Sequence, residues 1–196
     1  MKILVIPEDF RYDQYVLEPI ITAVMKAVGK PNAKVEICRQ PLLGGIRKAL
    51  KWSNQLEIIN QYKYRIDLFL LCVDRDNDLK REKDLRNLER LAAQELAKNS
   101  KKQLFLVVQA EQELEVWILA GQNLLKEWIW RDIRAERDPK EKYFEPFAHQ
   151  RGFITNLDKA RQVLSKEAAG RYERIKQLCP EVADLEERIR VWMEVS

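Results

Sequence analysis

Short apolar segments alternate with longer amphipathic ones over the first 110 residues of the chain. The short segments are rich in Val, Ile, Leu and Phe and end at polar residues or proline, which is typical of buried strands. They cover residues 2–6, 34–38, 67–73 and 104–108. The pattern therefore predicts four strands.

The segments between these strands carry apolar residues at the spacing of one helical face. The spacing predicts helices over 17–28, over 46–56 after a pair of glycines, and over 85–96. Pro19 is then close to a helix start, where proline is tolerated, and it would kink the helix if it lay deeper.

Strands that alternate with helices of this length pair in parallel through right-handed crossovers. We therefore expect an α/β fold of the Rossmann-like type, in which helices sandwich a parallel four-stranded sheet.

The pattern changes after the fourth strand. Residues 115–130 read as one aromatic-rich helix, and no further strand is evident beyond Pro139. Asn156 is a suitable cap for a helix that starts at Leu157, and Pro180 separates two more helices. We expect an α/β domain over residues 1–120 and, over 121–196, an α-helical extension packed on the same core.

Composition and charge indicate an ordinary globular protein. Hydrophobic residues make up 46% of the chain, and 35 basic against 31 acidic residues leave a net charge of +4, which by itself does not indicate a nucleic-acid partner. Three dispersed cysteines suit reduced thiols. The first apolar run reaches Pro7 too early for a signal peptide, and no run is long enough to cross a bilayer. A cytoplasmic protein without a membrane partner is expected.

Acidic residues collect where three of the strands end. They are Glu8 and Asp9 after the first strand, Asp74, Asp76 and Asp78 after the third, and Glu111, Glu113 and Glu115 after the fourth. The carboxyl ends of parallel strands meet at one edge of the sheet, where ligands bind. Grouped carboxylates repel one another unless a cation neutralises them, and oxygen ligands suit Mg²⁺ or Mn²⁺. The sequence therefore predicts a divalent-cation site that serves phosphate chemistry.

The acidic run at 74–78 has two other interpretations that its spacing tests. A calcium-binding EF-hand loop needs Gly and Glu where this chain has Leu79 and Leu85, which excludes it. A phosphoacceptor receiver domain also has acids after its first and third strands, but it needs a fifth strand that ends in Lys. Asp78 is better explained as the cap of the next helix.

The order of a first strand ending at Glu8 and a third strand ending at Asp74-x-Asp76 resembles the Toprim domain of topoisomerases, primases and OLD-type nucleases. The match covers residues 1–120. The stretches Glu113–Ala120, Asp138–Lys140 and Cys179-Pro180 extend the resemblance to a bacterial Toprim-like family of unknown function.

The resemblance implies a role for three acids. Glu8 is expected to bind metal and transfer a proton, and Asp74 and Asp76 to bind the Mg²⁺ that positions a phosphodiester. The chain departs from the family pattern at Asp9, where glycine is usual, and at Pro7.

Glu115 is open to two interpretations, as a further metal ligand or as an acid that favours a helix N-terminus. Arg11 and Arg75 are the expected substrate-binding cations, whereas Arg47, Lys48 and Lys51 are better explained as a solvated helix face. The single histidine, His149, has no partner motif for a catalytic triad.

The sequence thus favours a Mg²⁺- or Mn²⁺-dependent nuclease, with Glu8, Asp74 and Asp76 as the catalytic acids. One alternative is a non-catalytic interaction subunit that binds a protein partner through its C-terminal helices. A receiver-like phosphorelay module is a third hypothesis.

Overall fold

Four parallel strands form the sheet at the centre of the protein. The structure is a computed structural model that describes residues 1–75 and 81–194. The strands are β1 (Lys2–Pro7), β2 (Lys34–Ile37), β3 (Leu68–Asp74) and β4 (Leu104–Ala110). They lie in the order β2-β1-β3-β4, and every neighbouring pair is parallel. The predicted α/β fold with a parallel four-stranded sheet is confirmed.

Helices cover both faces of this sheet. They are α1 (Phe10–Ala27), α2 (Ile46–Ala49), α3 (Trp52–Tyr62), α4 (Arg81–Leu96), α5 (Glu115–Ala120), α6 (Trp130–Ala135), α7 (Glu145–Gln150), α8 (Leu157–Ala169), α9 (Tyr172–Leu178) and α10 (Pro180–Glu194). A π-helical turn, Lys140–Phe144, leads directly into α7. None of the helices in the described ranges combines the length and the hydropathy that a bilayer-crossing segment needs.

The alternation of side chains along each strand divides the core into two layers. Ile3 and Val5 face a layer that contains α1, α5, α8, α9 and α10, whereas Leu4 and Ile6 face a layer built by α3 and α4. Because β1 and β3 are central and covered on both faces, they are apolar at nearly every position, as their sequences predict.

The helices after residue 120 share the first of these layers with α1. α8 lies along α1, and α5 packs closely on α8 at one point. A Cβ on Gly121 would lie 2.4 Å from the Cα of Ala168, so only glycine permits this approach.

Helix α1 begins earlier than the apolar pattern predicts. Asp9 caps it, and its side chain accepts the backbone N–H of Arg11 at 2.9 Å. The prediction placed the start near Leu17 because residues 10–15 are mostly polar. Pro19 therefore lies inside α1 rather than in its first turn.

The helix predicted over 46–56 is divided in two. Lys51 is extended between α2 and α3, and two side chains of α3 stabilise the break. Asn54 Nδ2 donates to the carbonyl of Lys48 at 2.9 Å, and Gln55 Nε2 donates to that of Ala49 at 2.7 Å. Side chains thus satisfy carbonyls that a continuous helix would have bonded through its own backbone.

The single helix predicted over 115–130 is also wrong. α5 ends at Ala120, and the next helix begins only at Trp130. The carbonyl of Gly121 accepts a bond from Arg171 at 2.9 Å, and buried Gln122 donates to the carbonyl of Leu164 at 2.9 Å. These contacts to later helices replace the bonds of a continuing helix.

The caps predicted for the C-terminal helices are confirmed. The side chain of Asn156 accepts the backbone N–H of Lys159 at 2.8 Å, which places the start of α8 at Leu157. Pro180 is the first residue of α10 and follows α9 after one intervening residue.

Candidate functional site

Glu8 and Asp74 meet at the carboxyl edge of the sheet. Glu8 directly follows β1, and Asp74 ends β3, which is the neighbour of β1. Oε2 of Glu8 accepts the backbone N–H of Asp74 at 3.3 Å, and both residues are half-buried. The pairing of β1 with β3 therefore brings together two acids that are 66 residues apart in sequence.

Backbone contacts fix the end of β3. Oδ1 of Asp74 accepts the N–H of Leu114 at 2.9 Å, and the carbonyl of Asp74 accepts a bond from the buried guanidinium of Arg81. The Leu114 contact leaves the carboxylate anchored to the loop that follows β4. Such outer-shell bonds orient a carboxylate for ligand binding.

Asp76 and Asp78 lie outside the described residues. The pair formed by Asp74 and Asp76 is therefore represented in the structure by Asp74 alone.

Arg75 is engaged with the loop after β4. Its backbone N–H donates to the carbonyl of Gln112 at 2.9 Å, and its guanidinium donates to Glu111. Gln112 has a φ of +64°, a conformation that is uncommon outside glycine. A phosphate that contacts Arg75 has to compete with Glu111.

Arg11 lies on the surface near Glu8. Its side chain is 74% exposed and pairs with Asp9 at 3.2 Å. The residue that stands where the resemblance expects glycine, Asp9, is thus the cap of α1 and the partner of Arg11.

Glu115 is taken up by a buried ion pair. Its Oε1 accepts Nε–H of Arg161 at 2.8 Å, and the two residues are 7% and 4% exposed. The Arg161 guanidinium also lies over the rings of Tyr12 and Phe144, at 5.1 and 5.6 Å. Glu115 is the first residue of α5, as one of its two interpretations required, but its charge is neutralised by α8.

Asp13 is a further acid of this edge that the sequence analysis missed. Its carboxylate accepts the backbone N–H of Asp9 at 2.7 Å. Burial raises its pKa to about 8, and the negative charges of Glu115 and Glu8 act in the same direction. The signal that could have found it is an acid four residues after a capping Asp, but the predicted helix began too late to include it.

Glu113, one of the acids expected after β4, has a raised pKa that the sequence did not indicate. Burial, followed by the charge of Glu115, raises its pKa to about 7, and its carboxylate accepts the N–H of Lys140 at 2.8 Å. Burial also raises the pKa of Cys72 well above its ordinary value, with contributions from the charges of Asp13 and Asp74. Burial is thus the first cause of all three raised pKa values, and neighbouring negative charge adds to it.

Within residues 1–75 and 81–194, no group of three or more His, Cys, Asp or Glu side chains is arranged to hold a metal ion. Two of the four expected ligands, Glu8 and Asp74, are adjacent, Glu115 is paired with Arg161, and Asp76 falls outside these ranges.

Comparison with known proteins adds no family. No family model matches the chain, and neither a curated protein nor a solved structure is detectably similar to it. The fold class is therefore established by the sheet and its helices alone.

Proposed function

We propose that this chain is a Mg²⁺- or Mn²⁺-dependent phosphodiesterase that acts on nucleic acid. The observation that carries the proposal is the contact between the Glu8 carboxylate and the backbone N–H of Asp74. It joins two acids at the carboxyl ends of the central strands, which is where open α/β sheets bind their ligands.

The donor set fits a divalent cation of this kind. Protein-bound Mg²⁺ retains several waters and needs only one or two carboxylates together with substrate phosphate. Glu8 and Asp74, with Asp76 two residues further along the chain, are the residues that would hold it. The raised pKa of Asp13 supports the proposal, since it reflects, besides burial, negative charge that a cation would relieve.

A bound divalent cation would neutralise phosphate charge and lower the pKa of a bound water. The side chains of the protein would hold the cation and orient the reacting groups. The N–H of Leu114 orients the Asp74 carboxylate, and Glu8 serves as ligand or as the general base that accepts the proton of the attacking water. Arg11, which is exposed, and Arg75, once released from Glu111, are the proposed contacts to substrate phosphate.

The likeness of the Glu8 and Asp74-x-Asp76 arrangement to Toprim domains supports the same assignment. The strand order along the chain, with the glutamate after the first strand and the Asp pair after the third, is the basis of that likeness.

The test is cleavage of labelled single-stranded DNA, duplex DNA and RNA by the full chain with Mg²⁺ or Mn²⁺. Glu8→Gln, Asp74→Asn and Asp76→Asn should each lower the rate by about 100-fold or more if these acids act in the reaction. Glu57→Gln, an exposed acid on α3, is the control and should cleave at the wild-type rate. Cleavage that survives Asp74→Asn and Asp76→Asn would reject the residue assignment.

A non-catalytic interaction subunit is the second candidate. Three large apolar side chains in the last third of the chain are well exposed, namely Ile129, Ile154 and Val191, at 58, 70 and 50%. Failure of all three substrates to be cleaved with either cation would favour this candidate.

The receiver hypothesis has less support. It requires a fifth strand, and the described parts of the chain contribute four to the sheet. Labelling of Asp74 by acetyl phosphate would support it.

A further inference from the structure

A basic segment, residues 37–56, adjoins the acidic edge. It contains four cations, Arg39, Arg47, Lys48 and Lys51, and no aspartate or glutamate, although the whole chain has 35 basic and 31 acidic residues. All four side chains belong to exposed residues. Within residues 1–75 and 81–194 none of the four forms an ion pair. The described part of the chain therefore leaves their charge without an acidic partner.

Two contacts hold this segment beside Glu8. The backbone N–H of Gly45 donates to the carbonyl of Glu8 at 3.0 Å. The guanidinium of Arg39 lies over the ring of Phe10, 5.4 Å from its centroid. Phe10 is the first residue of α1, two positions after Glu8, so both contacts place the basic segment at the same end of β1 as the acids.

The conformation of the segment depends on its glycines. Gly44 and Gly45 have φ values of +62° and +117°, which other residues rarely adopt. The turn they form leads into α2, which carries Arg47 and Lys48 and packs against β3.

We infer that the basic segment binds the phosphodiester backbone of a nucleic-acid strand and leads that strand to Glu8 and Asp74. The inference rests on the proposed function and assigns the substrate contacts of the same site. It adds these cations to the proposed contacts of Arg11 and Arg75. Those two pair with Asp9 and Glu111, whereas Lys48 and Lys51 have no ion-pair partner among residues 1–75 and 81–194.

Charge and shape favour a strand over a flat anionic surface. The acids lie next to the basic segment at the same edge, so an extended anionic membrane would face both at once and be repelled by the acids. A nucleic-acid strand is narrow enough to follow the cations alone. Leu42, 59% exposed within the segment, adds an apolar contact that an unpaired base can use.

The experiment measures binding of the full chain to fluorescent single-stranded DNA, RNA and duplex DNA by anisotropy, in EDTA. The test variant is K48E/K51E. The matched control is K30E/K34E, which changes two exposed lysines at the opposite edge of the sheet. Each of these double substitutions lowers the formal net charge from +4 to 0.

Four contacts to a single strand give log Kd a slope of about 3 against log salt, and loss of two lowers it by about 1.4. We expect K48E/K51E to weaken binding by about tenfold or more at low salt and to flatten that slope. K30E/K34E should bind like the wild type. The three oligonucleotides show which form of the backbone is preferred, and circular dichroism checks that both variants are folded. If K48E/K51E is not folded, K48Q/K51Q is compared with K30Q/K34Q, which has the same net charge.

Equal loss in both variants would show a simple net-charge effect and overturn the inference. Loss in the control alone, or no oligonucleotide binding by the wild type, would overturn it as well. Because binding is measured without a divalent cation, its result is independent of cleavage. If K48E/K51E alone loses binding but the wild type cleaves none of the substrates, the basic segment is a binding surface and the proposed nuclease activity is rejected. If the wild type cleaves nucleic acid but both variants bind equally well, the nuclease activity is supported and the role of the basic segment is rejected.

Discussion

The Glu115 carboxylate accepts Nε–H of Arg161 at 2.8 Å in an almost fully buried ion pair. This bond joins the first residue of α5, at the carboxyl edge of the sheet, to the middle of α8. The C-terminal helices therefore neutralise one of the acids of the α/β core.

Removal of one partner of this pair should be strongly destabilising. Arg161→Met leaves Glu115 buried without its cation, and we expect a loss of about 3–5 kcal/mol in the free energy of unfolding, measured with urea. The double variant E115L/R161M should recover most of the loss. Arg86→Met, which breaks the exposed Arg86–Glu82 pair, is the control and should cost less than about 0.5 kcal/mol. Equal effects of the two single variants would contradict a stabilising role for the buried pair.

The raised pKa of Asp13 makes stability depend on pH. Because this pKa is about 8 in the folded chain and near 3.8 otherwise, the folded state holds a proton that the unfolded state has lost between these values. The contribution of Asp13 is thus fully present below pH 3.8 and is lost as the pH rises towards 8, by up to about 1.4 kcal/mol per pH unit. Asp13→Asn should reduce the slope of the unfolding free energy between pH 5 and 8 to the part contributed by other groups such as Glu113, whose pKa is also raised. An unchanged slope would contradict a contribution from Asp13.

The contact between α5 and α8 excludes any side chain at residue 121. Gly121→Ala would place its Cβ 2.4 Å from the Cα of Ala168, and we expect a loss of about 1–3 kcal/mol or more. A168G should not rescue it, since the clash is with backbone. Gly170→Ala, whose nearest contact would be 3.3 Å, is the control, and the melting temperatures of the three variants check the prediction.

The outer edge of β4 is protected by two side chains. Glu89 accepts the backbone N–H of Val107, and Arg188 donates to the carbonyl of Val107 at 3.1 Å. The side chains of Glu89 and Arg188 also pair with each other at 2.6 Å. Glu89→Ala should lower stability by about 1–3 kcal/mol because it leaves a buried N–H unbonded. It should also promote self-association, measured by light scattering, because exposed strand edges pair with one another.

The exposed acid Glu82 on the same helix provides the comparison for this edge. Glu82→Ala should change neither stability nor scattering appreciably. Similar scattering by both variants would show that the edge is protected by something other than Glu89.

Much of the α/β core was predictable from sequence because its signals are local. A strand that is buried on both faces is apolar at nearly every position, so residues 67–73 identify β3 from composition alone. The same holds for the cap at Asn156, where the capping side chain and its N–H donor are three residues apart. The wrong helix predictions, over 46–56 and 115–130, failed where side-chain hydrogen bonds replace the backbone bonds of a continuing helix. Asn54 and Gln55 supply them from within the first segment, and Arg171 supplies one to the second from a later part of the chain.

The candidate site was predicted only in part. The placement of Glu8 near Asp74 followed from parallel pairing, because every strand of such a sheet ends at the same edge. The sequence did not show which charged side chains of the site are paired with one another. Arg75 pairs with Glu111, and Asp13 reaches the acidic edge through a helix that begins earlier than its apolar residues indicate.

The sequence by itself determined the strands, their parallel pairing and the acidic edge, because these depend on backbone geometry over a few residues and on the common direction of the strands. Only the tertiary structure decided which acids at that edge are neutralised. Glu115 and Arg161 are 46 residues apart and meet because α8 packs along both α1 and α5. A pairing of this kind depends on how whole helices pack, to which the residues around Glu115 give no local signal.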